Sequence, residues 1–212
     1  MSDRTSLEIE FKCLINKEQY ESLLKEFNIK PQDIKEQINY YFDTKDLELR
    51  KKHIMCRIRQ KGEQYKITVK TKNENNDNVE NHYFLTTNEG KEMIKNGMDG
   101  KYANTSSFLS NVATLKTERV SFPYEGGKLF FDKSTYGKIT DYEIEYEVTD
   151  KIKGEAIFIK CVTHMQLTCN IRWWHYNSKW FLIPVYFCVK IFLFLPFLIQ
   201  TCLYVGRIII FF

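Results

Sequence analysis

With 212 residues, 43% of them hydrophobic and 15% aromatic, the chain suffices for one domain with a sizeable core. Its formal net charge of +4 is unevenly spread: residues 156–212 hold five bases and no acid, which leaves 26 of the 31 bases to face all 27 acids in the body. That near-neutral body lacks the basic stripe of a nucleic-acid binder, so no nucleic-acid partner is expected. Four scattered histidines and six cysteines show no metal-site spacing and suggest no disulfide framework. The polar start, Met-Ser-Asp-Arg, carries no secretory signal, so a cytoplasmic chain with reduced thiols is expected.

Along the chain, Leu7–Cys13 alternates apolar and charged residues and predicts a strand with Glu8, Glu10 and Lys12 on one face. Asn16 and Gln19 have the spacing of a capping box before a helix whose stripe is Tyr20, Leu23, Leu24 and Phe27. Strands are predicted at 38–44, at 53–60 with Arg57 and Arg59 sharing a face, and at 65–72 with Lys66, Lys70 and Lys72 sharing one. Residues 73–81 read as an asparagine-rich loop and 82–86 as a returning strand. Short helices are predicted at 88–96 and 105–113. Strands follow at 115–122, containing Arg119, and at 128–133, entered through the hairpin signal Gly126-Gly127. The last, 141–148, sets Asp141, Glu143, Glu145 and Glu147 against Tyr142, Ile144, Tyr146 and Val148. About seven strands with short helices and no βαβ rhythm give an antiparallel α+β fold.

The charged faces are sorted. Acids gather on the first and last strands and bases on the middle ones, whereas ordinary solvated faces intersperse the two signs. If the sheet closes, these faces line a small barrel able to hold one ligand. A charged lumen is costly unless compensated, and a polyphosphate with a hard divalent ion would compensate it. Cys13 and Cys56 lie on apolar faces and read as packed thiols, and His53 and His82 read as structural.

The chain resembles the CYTH superfamily, the triphosphate tunnel metalloenzymes, in its short bacterial single-domain form. The resemblance rests on Glu8-Ile9-Glu10-Phe11-Lys12, Tyr41-Phe42-Asp43, Arg57-Ile58-Arg59, Ile67-Thr68-Val69-Lys70, Thr117-Glu118-Arg119, Phe131-Asp132 and Glu143-Ile144-Glu145-Tyr146-Glu147, in that order. It implies an eight-stranded antiparallel barrel, closed or nearly closed, with flanking helices. The implied activity is metal-dependent hydrolysis of inorganic triphosphate or a small organic triphosphate such as thiamine triphosphate or a nucleoside triphosphate. The alternatives are a class IV-like adenylate cyclase and a non-catalytic polyphosphate- or nucleotide-binding module. By the same resemblance Lys12, Arg57, Arg59, Lys70 and Arg119 grip the triphosphate, and Lys66 shares their face. Glu8, Glu10, Glu143 and Glu145, with Asp132 and Glu147, hold Mg²⁺ or Mn²⁺, and Glu8, Glu10 and Lys12 are the catalytic set.

Beyond residue 160 the text changes. Residues 1–160 are expected to form the tunnel domain and 161–212 an anomalous apolar tail. Asn177-Ser178-Lys179 echoes the family's closing basic motif in unlike surroundings. Ile191–Gly206 is uncharged over 16 residues, short of the ~20 of a spanning helix, and Pro196 interrupts it. A membrane anchor is one reading of this tail. Out-of-frame translation from near residue 160 is favoured, because acids vanish and tryptophan and cysteine rise at one point.

Overall fold

The computed structural model describes residues 3–74 and 78–167, with the backbone of 170–172. Among these residues the strands are β1 (Arg4–Ile15), β2 (Lys35–Asp43), β3 (Met55–Lys61), β4 (Gln64–Lys72), β5 (Asn78–Leu85), β6 (Met98–Asp99), β7 (Phe108–Tyr124), β8 (Gly127–Tyr136), β9 (Ile139–Val148) and β10 (Asn170–Arg172). The helices are α1 (Lys17–Glu26), α2 (Glu48–Lys51), α3 (Thr87–Asn96) and α4 (Lys151–His164). Strand order is β1-β5-β4-β3-β2-β7-β8-β9, and β9 pairs back onto β1. Eight antiparallel strands therefore close into a barrel, which leaves no open edge among them. Where β5 has parted from β1, β10 takes its place beside Lys12–Leu14.

The alternation of residue types has an unusual outcome here: the apolar cores lie outside the barrel and the polar faces inside. Phe11, Cys13 and Ile15 of β1, Leu129 and Phe131 of β8, and Ile144 and Tyr146 of β9 pack under α1 and α4 against Tyr20, Leu23, Phe158, Cys161 and Val162. A second core joins Phe42, Cys56, Ile58, Ile67, Val69 and Leu109 to Leu49 of α2. Each fully buried aliphatic or aromatic side chain contributes roughly 1.5–3 kcal/mol, so these outer layers hold the barrel closed around a lumen that does not supply such energy. The capping box of α1 is formed, with Gln19 N donating to Asn16 Oδ1 at 2.8 Å and Asn16 N to Gln19 Oε1 at 3.0 Å. Gly154 lets α4 lie close on the barrel, since a Cβ there would meet Val148 Cγ2 at 2.5 Å.

Several sequence expectations are corrected. Residues 105–113 are not helical; β7 starts at Phe108 and runs unbroken to Tyr124, with Leu109 fully buried against the second core. The expected loop 73–81 is shorter, because β5 begins at Asn78. Cys13, Cys56 and Cys161 are all buried, and Cys56 and Cys161 are free thiols. No helix among the described residues is long and apolar enough to cross a membrane. The two readings of the tail, with Asn177-Ser178-Lys179 and Ile191–Gly206, fall outside the described residues.

Candidate functional site

Antiparallel register decides which charges meet. Lys12 stands opposite Glu145, and Leu14 opposite Glu143. Arg119 faces Asp132, which faces Glu143 on its other side. Arg59 lies between Asn39 and Lys66, while Lys70 pairs across to Glu80 and Thr68 to His82. All of these positions share the lumen face, because side chains two residues apart along a strand point the same way.

The lumen is laced with ion pairs. Lys12 Nζ lies 2.6 Å from Glu145 Oε1, 3.1 Å from Glu10 Oε2 and 3.7 Å from Glu143 Oε1. Arg119 grips Asp132 with both prongs, Nε donating to Oδ1 at 2.7 Å, and reaches Glu145 Oε2 at 2.6 Å. Lys70 pairs with Glu8 and, at 3.1 Å, with Glu10 Oε1. Arg59 Nε donates to Asn39 Oδ1 at 2.9 Å. The satisfaction is incomplete near Glu80. Its buried Oε1 has no hydrogen-bond partner, with Arg57 at 3.8 Å and Lys70 at 4.0 Å, and the buried Nε of Arg57 also lacks an acceptor. Such orphaned groups are expensive in a buried setting, and a water, an ion or a polar ligand group would each satisfy them.

Burial and neighbouring charge set the protonation states. Burial pushes Glu143 up to about 8, a rise that adjoining Glu145 supports and Lys12 opposes. Glu145 itself is pulled below the usual carboxylate range: burial works against this, but Lys12 and Arg119 outweigh it. Within the pair the proton therefore favours Glu143 over Glu145. Burial, then adjacent Glu10, lifts Glu8 to about 6. Burial and the like charges of Arg57 and Arg119 bring Arg59 down to about 9. Lys12 is raised, the surrounding carboxylates overcoming the effect of burial.

A cavity of about 220 Å³ opens within the barrel, lined on the basic side by Lys12, Arg57, Arg59 and Arg119 and on the acidic side by Asp132, Asp141, Glu143 and Glu145. The structure therefore brings together four of the expected phosphate-gripping bases with three of the expected metal-binding carboxylates. Glu8, Glu10 and Lys70 form a second knot on the lumen face, joined to the first through the Lys12–Glu10 pair. Lys66 is half-buried beside Arg59 but does not line the cavity, and Glu147 is exposed opposite Glu10. Sequence reasoning missed the buried lumen residues Gln37, Asn39, Thr68, Glu80 and His82. His82, expected to be bland, sits 3.2 Å from Thr68 Oγ1 and 3.5 Å from Glu80 Oε2. Asp43, a family landmark, turns out to hold α2 in place by accepting from the Leu49 and Arg50 amides at 2.9 and 3.0 Å. Among the described residues, no group of three or more His, Cys, Asp or Glu side chains is arranged to hold a metal ion.

Comparison with known proteins gives the same architecture a lineage. The family model of the CYTH domain matches residues 6–168. The Bacillus subtilis protein named "Putative triphosphatase YjbK" is 27% identical over 169 residues, spanning 76% of this chain and 87% of its own. A Bacillus halodurans crystal structure, described as a putative adenylate cyclase, is 29% identical with a TM-score of 0.72, covering 82% of this chain and 96% of its own. The Hippeastrum protein HpAC1, described with a dominant triphosphatase activity, superposes with a TM-score of 0.63 over 82% of this chain and 92% of its own; at 19% identity that likeness speaks to the fold alone.

Proposed function

Because this chain belongs to the CYTH domain family, we propose that it is a metal-dependent enzyme that hydrolyses a small triphosphate inside the barrel. The observation carrying this reading is the convergence of Lys12, Arg57, Arg59 and Arg119 on one enclosed cavity with carboxylates at their backs. Such bases form charge-assisted hydrogen bonds to phosphate oxygens, and Arg57 Nε, buried without an acceptor, is ready to take one. The names of the 27% and 29% identical relatives, a triphosphatase and an adenylate cyclase, are consistent with chemistry on a triphosphate.

The donors suit a hard divalent ion. Glu8, Glu10, Glu143, Glu145 and Asp132 offer only carboxylate oxygen, and Glu80 adds a buried oxygen that lacks a hydrogen bond. Glu147, exposed, takes the outermost place in the set. When bound, Mg²⁺ or Mn²⁺ would acidify an attacking water and neutralise charge on phosphoryl oxygens. The chain's own residues do the rest. Lys12 and Arg119 leave their carboxylates for the phosphates, the low-lying proton affinity of Glu145 keeps a negative charge beside them, and Arg57 and Arg59 fix the chain of phosphates in register for in-line attack. Lys66 and Lys70 are assigned to the same grip from β4.

The test is a panel of tripolyphosphate and ATP with Mg²⁺ or Mn²⁺, read as phosphate and cyclic AMP. Phosphate release that is abolished in a folded Lys12→Ala variant is the expected result. Cyclic AMP as the product would replace this reading with the cyclase, and binding without either product would replace it with a binding module.

A further inference from the structure

Phe130 of β8 is out of place for an apolar residue. Among the described residues, every other buried apolar side chain belongs to one of the two outer cores; Phe130, 6% exposed, belongs to neither. It stands two residues before Asp132, so its ring is on the lumen face. In the cross-strand register it lies between Ser121 of β7 and Glu145 of β9. Two cations sit over the ring: Arg119, with Cζ 4.6 Å from the centroid, and Lys128, with Nζ at 5.2 Å. Arg119 lines the cavity and Phe130 does not, so the ring backs the guanidinium and does not face the ligand space.

A phosphate chain gains nothing from a phenyl ring, but the arginine that is to bind it does. Asp132 and Glu145 hold Arg119 by its N–H groups, the same groups that a phosphoryl oxygen needs. A ring face attracts the guanidinium through its quadrupole and takes none of those donors. We propose that Phe130 is a positioning residue for the triphosphate reaction: its ring holds the plane of Arg119 while the guanidinium passes from Glu145 to a phosphoryl oxygen. This rests on the triphosphate reading above and gives that reading a residue outside the charged set. A ring that only filled the barrel would act through its volume, and an apolar side chain of similar size would replace it.

Phe130→Leu and Phe130→Tyr are to be compared with wild type by kcat and KM for tripolyphosphate with Mg²⁺ or Mn²⁺, folding being checked by near-ultraviolet circular dichroism. Phe130→Met takes the place of Phe130→Leu should the latter not fold. Phe130→Leu is expected to lower kcat/KM roughly tenfold, the scale of a desolvated cation–π contact, and Phe130→Tyr, which keeps the ring, to retain most of it. In an Arg119→Lys background, whose ammonium has no plane to hold, Phe130→Leu should cost about twofold or less. An unaltered kcat/KM in folded Phe130→Leu, or an equal loss in both backgrounds, overturns the proposal. Loss of the fold in both Phe130→Leu and Phe130→Met overturns it too, because the ring is then structural. A wild type that binds tripolyphosphate or ATP without hydrolysing it removes the hydrolytic reading alone: the same pattern read in Kd sustains the role of Phe130, and its absence overturns it. A wild type that binds neither ends both.

Discussion

Arg119 ties three strands together through one guanidinium, rising from β7 to clasp Asp132 on β8 and Glu145 on β9. The two carboxylates are 4% and 6% exposed, so truncating the arginine would strand buried negative charge. Breaking a buried pair from one side costs about 3–5 kcal/mol; Arg119→Ala is therefore expected to lose that much in urea unfolding. Arg119→Lys should recover only part, since an ammonium cannot reproduce the two-pronged contact. Glu143 makes a prediction of opposite kind. Its folded-state pKa, about 8, lies above the 4.5 of an unperturbed glutamate. Between those values the folded chain holds a proton that the unfolded chain has released, so this group's contribution to stability falls as pH rises from about 4.5 to 8 and then levels off. Glu143→Gln, which never gives up a proton, should flatten the decline, read as a smaller difference in Tm between pH 5 and pH 8 than in the wild type. An unchanged slope would show that the carboxyl is already ionised at neutral pH.

At the scale of elements, the β7–β8 hairpin shows how turn chemistry and packing set register. Glu125 and Gly126 both have positive φ, 40° and 81°, as a two-residue turn matching strand twist requires. Gly127 is constrained differently: a Cβ there would lie 2.6 Å from the Tyr146 ring, whose hydroxyl donates to the Glu125 carbonyl at 2.9 Å. Gly127→Ala is expected to cost about 1–3 kcal/mol by overpacking, and Gly126→Ala about 1 kcal/mol by backbone strain alone; chemical denaturation of the two variants gives the order. The Gly-Gly pair was legible in the sequence for this reason, as were β1, β4 and β9, where period-two alternation sets apolar residues against charge. The start of β5 was not. Asn78, Glu80 and His82 alternate with Val79, Asn81 and Tyr83, so polar residues fall on both faces and the segment reads as loop. The physical cause is the inverted interior: a strand buried against a polar lumen does not announce its burial by hydrophobicity, and so Glu80 and His82 were overlooked while Glu8 and Arg57 were caught by their motifs. The first turns of β7 were misread because Ser110, Asn111 and Ala113 carry little strand preference, and what makes them a strand is pairing with Asp43, Phe42 and Tyr41.

For the whole molecule, the consequence is a lumen whose acids and bases hold one another. Lys12, Arg57, Arg59, Lys66, Lys70 and Arg119 face Glu8, Glu10, Glu80, Asp132 and Glu145, together with Glu143, which favours its protonated form, and most are engaged with each other. On the proposed function, a triphosphate alone would have to pull Lys12 and Arg119 away from Glu145 and leave that carboxylate buried without its cations; a divalent ion alone would have to do the reverse to Glu8 and Glu10 by displacing Lys70. Bound together, each takes up the partners that the other releases, so the two should favour one another by a coupling of about 1–3 kcal/mol, equal in both directions. The expected outcome is that Mn²⁺ binds the protein roughly five- to 150-fold more tightly when tripolyphosphate is present, after correction for metal held by free polyphosphate. The rise in Tm with both ligands should likewise exceed the sum of the separate rises, and a chelator should remove the excess. Glu10→Gln, which weakens the metal's claim on the lumen and loosens Lys12 and Lys70 at once, should reduce the coupling more than it reduces triphosphate affinity alone. Strictly additive shifts in wild type would mean that the ion pairs of the lumen are too weak to compete with either ligand, and that the sorting of acids and bases around the tunnel serves closure of the fold and not the exchange of partners.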